Sequence, residues 1–353
     1  MRSVIVVIAV LCLAGCWDNR LLKDATVVTL AGIEGRIGDL TGYYLYPETI
    51  GDAVVTNVVE STGISPRNIR QNAELKVGKN LDLSMISTLL ISAGTAEDAL
   101  YDYLDIYFRD PLHPLTTKLA IVDGDMKALV GAAKEAGIQA GEFYGNYIES
   151  LEQISVARPY TIQTASSLFF DVGQDLVLPL LTLNEEIQRP EFIGLALFSG
   201  QHYTGVHVDP KQSVLLNLLS EEKGNEARLA YLFEDDVALA IRVLRAKRKI
   251  EAQDDEVTVQ MTLKITIDEF AIDHLASKER RQQLKQFLEQ KIQQDMASII
   301  QTLQQVQCDA IGIGRYVRVY HPSVFQEDWH TRFSSLTIRP NVDVEIIQTG
   351  ISQ

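Results

Sequence analysis

Chemistry is most clearly indicated at Cys16, because small residues stand directly before this cysteine in the order Leu13-Ala14-Gly15-Cys16. Arg2 supplies a positive start and an apolar run from Val4 to Ala14 follows it, which is the layout of a secretory signal. The L-A-G-C order resembles a bacterial lipobox, in which the cysteine thiol receives a diacylglyceryl group and becomes the new N-terminus after cleavage. We therefore predict residues 1–16 as a lipoprotein signal peptide and Cys16 as the lipidated residue.

A lipid on Cys16 would hold the protein on a membrane. The apolar run is about half of the roughly 20 residues that a helix needs to cross a bilayer, so it cannot remain as a span. Two acyl chains give a stable anchor where a single chain is marginal. The chain has 47 acidic and 32 basic residues, a formal charge of −15, which anionic headgroups repel. We predict attachment through the lipid, not through surface charge, and no nucleic-acid partner, since nucleic-acid binders carry a basic stripe.

A second group of residues surrounds two glycines near the C-terminus, in the order Asp309, Gly312, Gly314, Arg315. The glycine pair lacks the third glycine of a dinucleotide site and follows a predicted helix, so a chain-reversing turn is favoured over a phosphate cradle. Asp309 and Arg315 flank this turn. Two interpretations stay open for them, a pairing across the turn or contacts with a partner protein.

The other groups that are common in enzymes and metal sites are scattered. Cys12, Cys16 and Cys308 have no paired metal-ligand spacing, and Cys308 is predicted as a buried packing residue in preference to a nucleophile. His202 and His207 are five residues apart, which places them on opposite faces of one strand. The sequence contains no nucleophile-elbow or zinc-protease motif. We predict a protein that is not an enzyme, with no catalytic residue, no metal and no cofactor.

One basic cluster interrupts the acidic chain. Its members are Arg242, Arg245, Lys247, Arg248 and Lys249. Such a cluster can touch anionic lipid at about 1 kcal/mol per residue. A charged strand that protects the edge of a sheet is the favoured interpretation, and both stay open.

The most regular elements lie in the last third of the chain. From Val257 to Ile267, apolar and polar residues alternate with a period of two, which is typical of an antiparallel strand with one buried face. Ser277 to Val306 carries apolar residues at steps of three or four, which predicts a long amphipathic helix. Val342 to Ile346 alternates again. A sheet with one face covered by a helix is an α+β arrangement.

Two predicted domain boundaries divide the mature chain. Arg158-Pro159 is one, since a proline disfavours helix in the residue before it, and Lys223-Gly224-Asn225 is the other. We predict an N-terminal domain over 17–157, a small middle domain over 158–224 and a C-terminal domain over 225–353. Within the first, Thr95 to Phe108 is predicted as a single helix.

Several short segments, taken in order along the chain, match a known family pattern. They are Cys16-Trp17-Asp18, Gly194-Leu195-Ala196-Leu197-Phe198 with Gly205, Gln304, Cys308-Asp309-Ala310-Ile311-Gly312-Ile313-Gly314-Arg315, Tyr320-His321-Pro322, Trp329, Asn341-Val342-Asp343-Val344 and Thr349-Gly350. In this order and spacing the chain resembles the Ger(x)C family, whose members are lipoprotein C subunits of spore germinant receptors. The resemblance implies three mixed domains, each a mainly antiparallel sheet flanked by helices.

The same resemblance implies a function. It is that of a membrane-anchored receptor subunit on the outer face of the inner spore membrane, with membrane-integral A and B subunits as partners and nutrient germinants as the signal. The alternatives are a solute-binding lipoprotein of a transporter and a cell-wall hydrolase. Solute-binding lipoproteins have mainly parallel sheets, so the alternating strand at 257–267 counts against the first alternative.

Overall fold

The computed structural model describes residues 25–135, 140–234, 237–271 and 277–348. Cys16, the predicted signal peptide and Thr349-Gly350 lie outside these ranges. The strands are β1 (Ala25–Val27), β2 (Leu30–Arg36), β3 (Asp39–Ile50), β4 (Ala53–Gly63), β5 (Asn80–Asp82), β6 (Thr88–Ser92), β7 (Lys118–Val122), β8 (Val177–Asn184), β9 (Arg189–Ser199), β10 (His202–Val208), β11 (Arg228–Phe233), β12 (Val237–Gln253), β13 (Glu256–Phe270) and β14 (Thr337–Gln348). The helices are α1 (Pro66–Val77), α2 (Ala93–Ala96), α3 (Leu100–Arg109), α4 (Met126–Lys134), α5 (Phe143–Gln153), α6 (Ile162–Phe169), α7 (Pro210–Leu219), α8 (Lys278–Gln305), α9 (Ile313–Tyr320) and α10 (Trp329–Ser335).

Eight strands form the larger sheet, in the order β10-β9-β8-β7-β6-β2-β3-β4. The inner strands β2, β6, β7 and β8 pair in parallel, whereas the outer pairs on both sides are antiparallel. Burial follows this arrangement, since every residue of β6 is buried and the tip of the β3–β4 hairpin is exposed. The parallel centre is covered on both faces, as parallel strands usually are.

This sheet runs across the predicted boundary at residue 158. Strand β7 precedes the boundary and β8 follows it, and the two pair in parallel through Ile121 with Leu180 and Val122 with Leu181. The predicted N-terminal and middle units therefore contribute strands to one continuous sheet.

The C-terminal sheet has the order β11-β12-β13-β14. The alternation predicted over 257–267 is present in β13, where Val257, Val259, Met261, Leu263 and Ile265 are buried. Strand β13 is antiparallel to β12 and parallel to β14. The predicted α+β class, with mainly antiparallel sheets flanked by helices, is confirmed.

The long helix α8 covers the dry face of this sheet. Its apolar stripe, from Leu284 to Leu303, is buried, and the helix packs against β14. On another side α8 contacts α7, which is buried from Ser213 to Leu219, and Lys211 pairs with Asp295 at 2.7 Å. Helix α7 thus lies between the two sheets and connects them.

The segment predicted as one helix from Thr95 to Phe108 consists of two helices, α2 and α3, so that prediction was wrong. The Ser92 hydroxyl accepts from the amide of Thr95 and caps α2. The Leu100 amide donates to the carbonyl of Gln201 in the β9–β10 turn, which starts a separate helix there. A contact with a distant turn therefore divides the segment.

Among the residues that the structure describes, no helix combines the length and the apolar character that a bilayer crossing requires.

Candidate functional site

The glycine turn near the C-terminus is built around the carboxylate of Asp309, which is fully buried. It accepts from the backbone amides of Gly312 at 2.9 Å, Ile313 at 3.0 Å and Gly314 at 2.7 Å, and from the Trp329 indole nitrogen at 2.8 Å. These amides are the free donors at the start of α9, where a negative charge is favoured by the helix dipole. Asp309 therefore caps α9 and fastens α10 to it.

A second carboxylate, Asp175, connects this turn to the larger sheet. Asp309 donates its amide to Asp175 Oδ2 at 2.6 Å, and Asp175 donates its amide to the Asp309 carbonyl at 3.1 Å. Asp175 Oδ1 accepts from the Gly200 amide at 2.8 Å and lies 2.9 Å from His330 Nε2. One carboxylate thus joins the segment before β8, the β9–β10 turn and α10.

Arg158 completes the cluster from a third direction and is only 1% exposed. Its guanidinium donates to the carbonyl of Ala310 at 3.0 Å, to Asn217 Oδ1 at 2.9 Å and to the Ser220 hydroxyl at 2.7 Å. The acceptors lie in the glycine turn and at the end of α7. We call the five residues Asp309, Asp175, Trp329, His330 and Arg158 the Asp309 joint.

Arg315 lies at the rim of the Asp309 joint. Its Nε donates to Asp171 Oδ2 at 2.5 Å, and its amide donates to the Gly173 carbonyl at 3.0 Å. Of the two residues predicted as partner contacts, Asp309 has no exposed surface, whereas 49% of the Arg315 side chain is exposed. The two do not pair across the turn, because Asp309 faces backbone amides and Arg315 faces Asp171.

Two glycines allow the chain segments to approach this closely. Gly312 has φ of +76°, a backbone conformation that residues other than glycine rarely adopt. It is the N-cap residue that directly precedes α9. A Cβ on Gly314 would lie 2.5 Å from Trp329 Nε1 and 2.6 Å from the Gly173 Cα. The predicted chain-reversing turn is therefore observed, and it is also a packing point.

The electrostatics of the Asp309 joint follow from its burial. Burial raises the pKa of Asp309 to about 6, and the amides of Gly314 and Ile313 oppose this rise. The hydrogen bond to Asp175 raises the pKa of His330. Burial raises the pKa of the Cys308 thiol well above its usual value, and that side chain has no exposed surface, in agreement with the predicted packing role. A protonated, inaccessible thiol is a poor nucleophile.

Part of the basic cluster also serves the joint. Arg248, on β12, donates to the carbonyls of Ile311 at 2.7 Å and Leu219 at 3.0 Å. Strand β11 pairs with β12 only as far as Arg242, so the rest of the cluster lies on the part of β12 that β11 leaves uncovered. The position at a sheet edge agrees with the favoured interpretation, and Arg248 binds within the chain.

A cleft of about 370 Å³ lies beside the joint, between the end of α5 and residues 221–225. Its lining includes the carboxylates of Glu149, Glu152, Glu221 and Glu222. Glu152 accepts from Lys118 Nζ at 2.7 Å, and Glu221 lies 3.7 Å from Arg248. Binding clefts for small molecules are usually lined mainly by apolar groups. Two of these carboxylates instead hold neighbouring segments together.

The histidines of the described ranges do not form a cluster with metal-ligand geometry. His113 is buried, and its Nε2 lies 3.3 Å from Arg70 Nη1. His330 faces Asp175. His202 and His207 are exposed on β10. Over the described ranges, no three His, Cys, Asp or Glu side chains are arranged to hold a metal ion. His274 lies outside those ranges.

No sequence motif marks Asp175, Arg158 or the pairing of His330 as parts of this cluster. Asp309 and Asp175 are 134 residues apart, and Arg158 and Ala310 are 152 residues apart. No local spacing signals such contacts. A buried arginine in particular has no pattern that separates it from a surface arginine.

Comparison with known proteins relates nearly the whole chain to spore germination proteins. Residues 193–350 match the family model described as "Spore germination B3/ GerAC like, C-terminal". Residues 18–183 match the one described as "Spore germination protein N-terminal domain".

Two individual proteins show the same relation, and one solved structure shares the fold. The putative spore germination protein YfkR of Bacillus subtilis (strain 168) is 19% identical, over 99% of this chain and 97% of its own. The spore germination protein GerQC of Bacillus cereus is 21% identical, over 100% and 99%. The crystal structure of the GerBC protein superposes with a TM-score of 0.60 at 12% identity, over 90% of this chain and 97% of that one, and this likeness shows the fold.

Proposed function

Because this chain belongs to the GerAC-like family of spore germination proteins, we propose that it is the lipid-anchored C subunit of a nutrient germinant receptor. The observation that carries this proposal is the match of both family models, in order, over 18–183 and 193–350. The match favours the receptor subunit over the solute-binding alternative. The structural role of the buried Asp309 joint supports a function that depends on protein contacts.

In this proposal the chain is lipidated at Cys16 and held on the outer face of the inner spore membrane. Its partners are the membrane-integral A and B subunits of the receptor. Two acyl chains provide a stable anchor for an acidic body that anionic headgroups repel.

The anchor is tested by Cys16→Ala in the full chain, with Cys12→Ala as the matched control in the same segment. We expect Cys16→Ala to leave the membrane fraction of spores and to abolish germination in response to nutrients. Cys12→Ala should keep both. Membrane retention of Cys16→Ala, or receptor complexes that contain both membrane subunits and never this chain, would contradict the proposal.

Arg315 is the residue that we propose for contact with a receptor subunit. It is half exposed beside the Asp309 joint. Three exposed apolar residues lie nearby: Val319 is four residues later on α9, and Phe170 and Val172 flank its ion-pair partner Asp171. Residues 315 and 319 share one face of α9, as positions i and i+4 do. A cation surrounded by apolar surface is typical of protein interfaces.

This contact is tested by comparing Arg315→Ala with Asp171→Ala. Both changes break the Arg315–Asp171 ion pair, but only the first removes the guanidinium. We expect Arg315→Ala to reduce recovery of the A and B subunits with this chain, and Asp171→Ala to retain them. Equal recovery with the two variants would assign Arg315 a purely structural role.

A further inference from the structure

One end of the larger sheet carries an exposed apolar arm. In the β3–β4 hairpin the residues around the turn at Gly51 are exposed on both strands, and they include Ile50 (61% exposed), Val54 (52%) and Val55 (39%). Val54 and Val55 are adjacent, so their side chains point to opposite faces of the hairpin. With both faces exposed, the arm extends past the body of the protein and has no core to pack against.

The described chain begins at the same end. Strands β2 and β3 are antiparallel, with Leu30 opposite Leu45. From this pair, β3 continues towards Ile50, about 17 Å farther at the usual rise per residue. The chain before Leu30 leads back in the same direction to β1, which contacts β3 and starts at Ala25. Ala25 and the hairpin arm therefore lie at one end of the molecule.

Two neighbouring loops add apolar side chains to that end. The parallel strands β2, β6 and β7 start in register, with Leu30, Thr88 and Lys118 side by side. Met85 (66% exposed) lies in the loop that leads into β6, and Leu115 (43%) in the loop that leads into β7. The exposed apolar residues are thus distributed over several loops of one end.

We propose that this end of the protein faces the bilayer and that the β3–β4 hairpin inserts Ile50, Val54 and Val55 into its interfacial layer. The inference rests on the lipid attachment at Cys16 proposed above. Nine Cα steps separate Cys16 from Ala25, and an extended chain covers about 30 Å at most over that length. The tether therefore holds the apolar arm within reach of the lipid. Asp52 at the tip of the hairpin is acidic and is not attracted by anionic headgroups. Insertion therefore depends on burial of the apolar side chains and not on charge.

Ile64 provides a matched control at the other end of the sheet. It is 65% exposed, close to the value for Ile50, and its carbonyl accepts from the amide of Gly38 in the β2–β3 turn. Because that turn lies at the opposite end of β2 from Leu30, a probe at residue 64 points away from the proposed membrane surface.

The test places a photo-crosslinking amino acid at residue 50 or residue 64 of the full chain in spores, followed by irradiation and mass spectrometry. Residue 54 is a second probe position if substitution at 50 impairs folding. We expect a phospholipid adduct when the probe is at residue 50 and no phospholipid adduct when it is at residue 64. A polypeptide adduct at residue 50, equal phospholipid labelling at both residues, or no adduct at residue 50 in membrane-bound protein would each overturn the proposal.

The two membrane proposals can fail separately. Release of Cys16→Ala from the membrane reports on the anchor, whereas the ratio of phospholipid labelling at residues 50 and 64 reports on the hairpin. A retained Cys16→Ala variant that still labels phospholipid at residue 50 would support the hairpin contact and contradict the anchor. Release of Cys16→Ala together with no phospholipid labelling at residue 50 of the otherwise wild-type chain would support the anchor and contradict the hairpin contact.

Discussion

At the scale of single residues, Asp309 carries the most structural consequence. One buried carboxylate satisfies three backbone amides and one indole nitrogen from two helices. Buried donors without a partner cost about 1 to 3 kcal/mol each, so the group that accepts from all of them is difficult to replace. This gives the acidic residue at the start of the glycine turn a structural role.

We predict that Asp309→Ala lowers the free energy of unfolding by about 3 kcal/mol or more, because four donors lose their acceptor together. Asp328→Ala is the matched control, since Asp328 caps α10 through the Thr331 amide at an exposed site and its loss costs about 1 kcal/mol. Chemical denaturation of both variants measures the difference. Similar losses for the two would show that the donors around Asp309 find other partners.

The Asp309 joint also makes stability depend on pH. The pKa of Asp309 is raised from 3.8 to about 6, so the folded state binds this proton more tightly than the unfolded state. The stability that this proton adds is full below pH 3.8 and is lost as the pH rises through about 6. The pKa of His330 is raised above 6.5, so its contribution is present below 6.5 and is lost as the pH rises through the folded-state value. Both groups therefore destabilise the fold as the pH increases.

We expect His330→Gln to flatten the fall of Tm above about pH 6.5, because the variant no longer loses the proton that His330 holds in the folded state. His207→Gln changes an exposed histidine on β10 and should keep the wild-type slope. Thermal unfolding followed at several pH values decides the matter. An unchanged slope in His330→Gln would mean that the His330–Asp175 contact does not titrate in this range.

At the scale of elements, the position of α9 depends on close contact between backbones. Gly314 packs against Gly173 and Trp329 without room for a Cβ. Helix α9 is therefore held in place by the absence of side chains as much as by the bonds to Asp309. The helix in turn presents Arg315 at the surface.

We predict that Gly314→Ala destabilises the protein by about 1 to 3 kcal/mol, the usual cost of overpacking. Gly131→Ala is the opposite control, since Gly131 lies in α4 with open space around it and alanine favours helix by up to about 1 kcal/mol. The two Tm values should therefore shift in opposite directions. A stable Gly314→Ala variant would show that α9 can move away from Trp329 at little cost.

At the scale of the whole molecule, the Asp309 joint and helix α7 tie the two sheets together. Arg158 reaches the glycine turn and the end of α7, and Arg248 reaches both from the C-terminal sheet. These bonds connect the larger sheet, α7 and the C-terminal sheet directly. We therefore expect the two sheets to unfold together.

We expect the wild-type protein to unfold in a single calorimetric transition and Arg158→Met to unfold in two, because methionine keeps much of the volume but cannot bond to Ala310, Asn217 and Ser220. Arg339→Met, which changes an exposed arginine paired with Glu256 inside the C-terminal sheet, is the control and should keep one transition. A single transition in Arg158→Met would show that α7 and the bonds of Asp175 and Arg248 couple the sheets without Arg158.

The sequence by itself determined the elements whose pattern is local. The alternation in β13, the apolar stripe of α8 and the turn at Gly312 each depend on which side of one short segment is buried, and period or residue type records that directly. The family, too, follows from short motifs in order along the chain.

Only the tertiary structure decided how these parts meet. Asp175 and Arg158 reach Asp309 and Ala310 from positions more than 130 residues away, the Gln201 carbonyl separates α2 from α3, and β7 pairs with β8 across a predicted boundary. The physical reason is that a hydrogen bond between distant segments depends on the path of the chain between them. Residue spacing carries no information about that path.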